Sequence, residues 1–131
     1  MMFGFKKREH PDRAGLRQDF ERVTSTARRA PEVVQVALGH YINLAYATFA
    51  ARFKSIEAFR VLPGAEKLEY LQQLTATEVE LQKKDPQAAI GFALFKMWVG
   101  ALVANDDELM RQFSKELSIL SKKADPWALV C

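Results

Sequence analysis

The sequence has few of the side chains that metal and catalytic sites require. It contains one cysteine, Cys131, which is its last residue, and two histidines, His10 and His40. An ordinary zinc site needs three or four cysteine or histidine ligands, and a di-iron site in a helical bundle needs two Glu-x-x-His pairs. Neither histidine has an acidic residue three positions before it. We therefore predict no metal site and no cofactor, and no disulfide within the chain is possible.

Other catalytic arrangements are missing too. The six glycines are scattered, so that no glycine-rich phosphate loop follows a strand. A cysteine–histidine nucleophile pair would depend on the terminal Cys131, which nothing in the sequence holds in place. The first residues lack the apolar run of a secretory signal peptide, and a single cysteine suits a reducing compartment. These features predict a cytoplasmic protein that is not an enzyme, with no small-molecule substrate.

Long apolar stretches are present, and residues 86–104 form the most apolar of them. From residue 88 to residue 104 the only charged side chain is Lys96. A helix that is apolar on all sides must be enclosed by neighbouring elements or by lipid. Seventeen residues are fewer than the roughly 20 of a membrane span, and a central lysine costs about 2.5–3.5 kcal/mol there. We interpret the stretch as a buried core helix.

The spacing of the apolar residues predicts an all-α bundle of about five helices around this core helix. Prolines mark several helix starts, because a proline at the first helical position loses no hydrogen bond. The predicted helices are residues 11–29, 31–61, 65–84, 86–104 and 106–123. The second is long, and a bend near residues 50–55 is expected. We predict one domain over residues 11–124, with a basic and apolar arm at residues 1–10 and an apolar tail at residues 125–131.

The predicted helix 31–61 is nearly as apolar as helix 86–104, and five helices do not readily enclose both. Surplus apolar surface usually indicates a protein partner or self-association. The sequence thus predicts a non-catalytic interaction module, acting as an adaptor, an inhibitor or an assembly subunit. Large apolar side chains at exposed ends are good interface anchors. The candidate partner-binding residues are Met2, Phe3, Phe5, Trp127, Leu129 and Val130.

Two alternative functions follow from the basic N-terminal quarter. Residues 1–30 carry eight basic and four acidic side chains, whereas the remaining residues carry eleven basic and twelve acidic ones. Nucleic acid could bind there, through Lys6, Lys7, Arg8, Arg13, Arg17, Arg28 and Arg29. Because Asp19 and Glu21 lie among these arginines, a solvated face is the favoured interpretation. The arm could also attach to an anionic membrane surface.

Overall fold

The protein is an all-α bundle, as the sequence predicts. The computed structural model describes the backbone of residues 9–121 and the side chains of residues 14–121. Over that range the chain forms six helices and no strand. They are α1 (Glu9–Arg28), α2 (Glu32–Phe53), α3 (Ile56–Arg60), α4 (Gly64–Lys84), α5 (Pro86–Val103) and α6 (Asp107–Ser121). The predicted tail, residues 125–131, lies outside the described residues.

Helix α5 lies at the centre of the bundle, which confirms the predicted core helix. It packs against α1, α2, α4 and α6, and ten of its eighteen residues are buried. The helix begins where the sequence predicts, because Asp85 accepts a hydrogen bond from the Ala88 backbone N–H at 3.2 Å and Pro86 occupies the first turn. In the C-terminal half of α5, the Trp98 indole N–H donates to Ser114 Oγ of α6 at 2.9 Å.

Within the described residues, α5 is the one helix long and apolar enough to cross a membrane by length and composition. Core helices of soluble proteins pass the same test, and half of the α5 segment is buried inside the bundle. The burial of α5 is thus accounted for by its helical neighbours.

Close contact between α2 and α5 depends on Gly91. A Cβ atom at this position would lie 3.0 Å from Tyr41 Cβ and 3.1 Å from the Leu38 carbonyl oxygen of α2. The two helices run in the same direction, because Gly91 lies beside Leu38 and Tyr41 while Trp98 lies beside Phe49. Since one of the two crowded atoms belongs to the backbone, a side chain at position 91 would push the helices apart.

A cluster of aromatic rings joins α2 to three other helices. Phe49 of α2 is fully buried at the centre of the cluster. Its ring centroid lies 5.2–6.2 Å from those of Phe53, Phe59, Tyr70, Phe95 and Trp98. Aromatic pairs at such separations add roughly 0.5–1.5 kcal/mol each beyond the area they bury. The cluster fixes how α3 and α4 pack against the α2–α5 pair.

The predicted helix 31–61 is divided into α2 and α3, at the place where the sequence predicts a bend. Lys54 has φ 77° and ψ −46°, which ends α2 at Phe53. Ser55 then starts α3 by accepting a hydrogen bond from the Ala58 N–H at 3.0 Å. The turn brings Phe59 back against Phe53, with ring centroids 4.9 Å apart. A straight helix could not make this contact, so the break serves the aromatic cluster.

We expect Gly91→Ala to lower the free energy of unfolding by about 1–3 kcal/mol, because the added methyl group meets the α2 backbone. Gly100→Ala is the matched control. Its Cβ would meet only the Leu16 methyl groups at 3.6 and 3.9 Å, which is ordinary contact. There the helix propensity of alanine should raise stability by up to about 1 kcal/mol. Urea denaturation would measure both, and effects of the same sign would contradict this account of the α2–α5 contact.

Replacing Lys54 by glycine should stabilise the fold by about 1 kcal/mol. A positive φ strains a residue that has a side chain, and the relief exceeds the entropy that glycine adds to the unfolded chain. Thermal unfolding followed by circular dichroism should show a rise of roughly 3–5 °C. Lys115→Gly, within α6, is the control and should lower stability by a similar amount. A destabilised Lys54→Gly variant would show that the turn is not strained.

Candidate functional site

Helix α2 is apolar but much less enclosed than α5. Between Glu32 and Arg52 it contains no aspartate, glutamate, lysine or arginine. Only five of its 22 residues are buried: Leu38, Gly39, Ile42, Ala45 and Phe49. Val33 and Leu44, on the outer side, are 75% and 64% exposed within the described structure. An uncharged, partly apolar helix surface of this length is unusual for a face that meets only water.

A row of uncharged and mostly exposed residues runs along α2, and we call it the α2 face. It consists of Val33, Ala37, His40, Leu44, Ala47 and Ala51. All of these are exposed except Ala37, which is half-buried. Their spacing alternates between four and three residues, which is 3.5 residues on average. A repeat of 3.5 residues lets two helices keep the same sides in contact along their length. Because the side chains of its three alanines are small, another helix could approach the α2 face closely.

A groove of about 420 Å³ runs beside the α2 face, between α2 and α4. α2 contributes Leu44 and Thr48, α4 contributes Leu74 and Thr77, and α5 contributes Ala88 and Phe92. Leu44 therefore belongs both to the α2 face and to the groove. The lining is mainly apolar, and its volume is within the range of small binding clefts. The groove and the α2 face together form one continuous candidate site.

Hydrogen bonds between side chains close the two ends of the groove. At one end the Tyr41 hydroxyl donates to Asp85 Oδ2 at 2.7 Å. At the other end Arg52 Nη1 donates to Gln73 Oε1 at 2.8 Å, and its guanidinium lies 5.3 Å from the centre of the Tyr70 ring. From Tyr41 to Arg52 the helix rises about 16 Å, or three turns. One bond joins α2 to the junction of α4 and α5, and the other joins α2 to α4.

These bonds shift the pKa values of the groups involved. The hydrogen bond from Tyr41 lowers the pKa of the Asp85 carboxyl below 3.8, and the Ala88 N–H acts in the same direction. In return, donation to Asp85 raises the pKa of Tyr41 above 10.0. Burial raises the pKa of Tyr70 to about 12. Near neutral pH the groove is thus lined by neutral tyrosines and closed at one end by an ionised carboxylate.

All six predicted partner-binding residues, Met2, Phe3, Phe5, Trp127, Leu129 and Val130, lie outside the described residues. Their assignment stays a prediction. The α2 face was missed by the sequence reasoning, although a signal for it exists. That signal is the absence of charge from residue 33 to residue 51, over five turns of a helix that the bundle covers on one side only.

The basic residues predicted for nucleic acid are partly described. Lys6, Lys7 and Arg8 and the side chain of Arg13 lie outside the described residues. Arg17, Arg28 and Arg29 share a groove of about 600 Å³ between α1 and α6. Glu21 and Glu116 line the same groove, and Arg28 forms an ion pair with Glu116. Lys115 lines it as well, so the groove carries four basic and two acidic side chains, and the assignment to nucleic acid stays a prediction.

Lys96 of the core helix has a structural explanation, and His40 of α2 lies at the surface. Lys96 of α5 is half-buried and forms an ion pair with Glu78 of α4, with a distance of 2.6 Å between Nζ and Oε1. His40 is exposed on the α2 face. Among the described residues, no three histidine, cysteine, aspartate or glutamate side chains form a group that could hold a metal ion.

Comparison of the chain with models of protein families, with curated proteins and with solved structures gave no significant match. The function therefore has to be inferred from the surface of this protein itself.

The Tyr41–Asp85 pair makes part of the stability depend on pH. Because the folded-state pKa of Asp85 lies below its usual 3.8, the ionised carboxylate stabilises the fold above about pH 4, and this contribution is lost as the pH falls through the lowered value. Asp85→Asn keeps a capping oxygen but lacks the charge. We expect the variant to be less stable than the natural chain at pH 7, and the difference to be smaller at pH 3.

Urea denaturation at the two pH values measures this difference. Asp19→Asn, an exposed aspartate paired with Arg22 on α1, is the control, and its effect should change little with pH. A stability gap for Asp85→Asn that is the same at pH 7 and pH 3 would contradict the assigned role of the carboxylate.

Proposed function

We propose that this protein is a non-catalytic interaction module that binds a helix of a protein partner along the α2 face. The observation that carries the proposal is an uncharged stripe on α2, five turns long, that the described part of the bundle leaves exposed. Natural surfaces usually interrupt such stripes with charge, because exposed apolar area promotes association. Here the stripe is continuous, which is typical of a surface whose function is association.

The spacing of the face supports a helix as the ligand. An amphipathic ligand helix presents apolar side chains at positions i, i+3, i+4 and i+7, and a stripe with an average spacing of 3.5 residues can keep such a row in contact along its length. One row of apolar side chains from such a ligand could enter the groove between α2 and α4, where Leu44, Leu74 and Phe92 offer apolar contact. The alanines at positions 37, 47 and 51 would lie under the body of the ligand helix.

The energetic contribution comes mainly from two side chains. Val33 and Leu44 are the large apolar residues of the face, and covering either one fully contributes about 1.5–3 kcal/mol. Arg52, exposed at one end of the groove, is suited to an acidic group of the ligand. The roles of adaptor, inhibitor and assembly subunit all use such a surface, and the terminal residues predicted from the sequence would add further anchors.

We expect Leu44→Glu to weaken binding of a protein partner at least about tenfold, because a carboxylate would be buried in an apolar contact. Leu68→Glu is the matched control. Leu68 is 52% exposed on α4, outside the α2 face and the groove. The measurement is affinity capture with the natural chain and both variants, followed by titration of each captured protein in purified form.

A partner retained by the natural chain and by Leu68→Glu but lost by Leu44→Glu would support the proposal. Circular dichroism must show that both variants are folded. Equal retention of every partner by the two variants would refute a role for the α2 face.

A further inference from the structure

We propose that the groove between α2 and α4 binds a fatty acid, that is, an unbranched alkyl chain that ends in one carboxylate. The carboxylate lies at Arg52, and the chain runs along the groove toward Tyr41. Two features of the groove carry the proposal: its mainly apolar lining and a single positioned cation at one end. The proposal goes beyond the proposed function, because the groove binds this ligand without a protein partner.

The lining of the groove is suited to a hydrocarbon chain. Its most buried residues include Ala45, Leu74 and Ala88, which are 7%, 6% and 1% exposed, and Leu81 and Phe92 add further apolar surface. Each methylene group that leaves water for such a surface strengthens binding, so affinity should grow with the length of chain that the groove holds. The volume of about 420 Å³ lies within the range of pockets that bind small molecules.

Three polar side chains along the groove already have partners within the protein. The hydroxyls of Thr48 and Thr77 each donate to a backbone carbonyl one turn earlier in their own helix, at 3.0 Å. The Tyr41 hydroxyl donates to Asp85. These groups therefore require no hydrogen bond from a ligand, and an alkyl chain can lie beside them at little cost.

Arg52 is the one charged residue among the described residues that line the groove. Its Nη1 donates to Gln73 Oε1 at 2.8 Å, and within the described part of the chain no acceptor binds its Nε or Nη2. The guanidinium lies 5.0 and 5.3 Å from the centres of the Phe53 and Tyr70 rings, which limits its orientations. A carboxylate can accept two parallel hydrogen bonds from the Nε–Nη2 edge of this cation, which is already positioned.

Charge and length define the ligand further. A single cation in the lining suits a monocarboxylate, since a second anionic group would find no opposite charge along the groove. Tyr41 and Arg52 lie about 16 Å apart along α2. An extended alkyl chain advances roughly 1.3 Å per carbon, because its C–C bonds of about 1.5 Å are inclined to the chain axis. A chain of about twelve carbons therefore matches the groove.

A series of chain lengths measures the binding. The full chain is titrated calorimetrically with octanoate, decanoate, dodecanoate and tetradecanoate, each below its critical micelle concentration. The affinity should rise by up to about fourfold per added carbon and level off near twelve carbons. Decanol, which lacks the charge, should bind roughly tenfold more weakly than decanoate. Absence of saturable dodecanoate binding overturns the proposal, and equal affinities for decanol and decanoate overturn the assignment of the carboxylate to Arg52.

Two pairs of variants locate the site. Arg52→Gln should weaken dodecanoate binding roughly tenfold and leave decanol binding unchanged. Its control, Arg22→Gln, removes an exposed arginine of α1 outside the groove and should change neither. Thr77→Trp places a large ring in the groove and should weaken both ligands at least about tenfold, whereas Thr75→Trp, on α4 outside the lining, should not. Circular dichroism checks that all four are folded, and equal effects within either pair overturn the site.

These results are independent of the test of the proposed function. Leu44 belongs both to the groove and to the α2 face, so a bound alkyl chain and a partner helix would compete. Capture of a protein through Leu44 without any binding of dodecanoate leaves the proposed function standing and overturns the fatty-acid site. Binding of dodecanoate that depends on Arg52 and Thr77, without such a captured protein, supports the site alone.

Discussion

Close packing of α2 against α5 is the contact on which the rest of the structure depends. The missing side chain at Gly91 lets α5 approach the backbone of α2 at Leu38, and the two most apolar helices of the chain cover one side of each other. α1, α4 and α6 then enclose the remaining sides of α5. They leave the outer side of α2 uncovered within the described residues, so one contact explains both the buried core and the exposed stripe.

Stability of the monomer does not explain that stripe. Charged or polar residues at positions 33, 44 and 47 would cost the fold little, since these side chains make few contacts within it, and would improve solubility. The bundle already has a buried aromatic cluster around Phe49 and ion pairs such as Lys96–Glu78 between its helices. An uncharged α2 face is better explained by a ligand that covers it than by the needs of folding.

Much of the fold could be predicted from the sequence, because apolar spacing, prolines and capping residues act locally. Asp85 and Pro86 fix the start of α5, and the structure agrees. The separate α3 was harder to foresee, since Lys54 adopts a positive φ without the glycine or asparagine that usually signals one. The candidate site could not be assembled from sequence, because the groove joins residues such as Leu44 and Leu74 that only tertiary packing brings together.

The central claim is that the α2 face is covered by another chain in solution. Hydroxyl-radical labelling of the full chain, alone and bound to the protein that it captures, tests it directly, with Leu44 as the reporter and Leu68 as the internal reference. These residues are 64% and 52% exposed in the single chain, so their labelling should be similar when the chain is alone. The account predicts that Leu44 becomes protected in the complex while Leu68 does not. Labelling of Leu44 that follows Leu68 in both samples would contradict it.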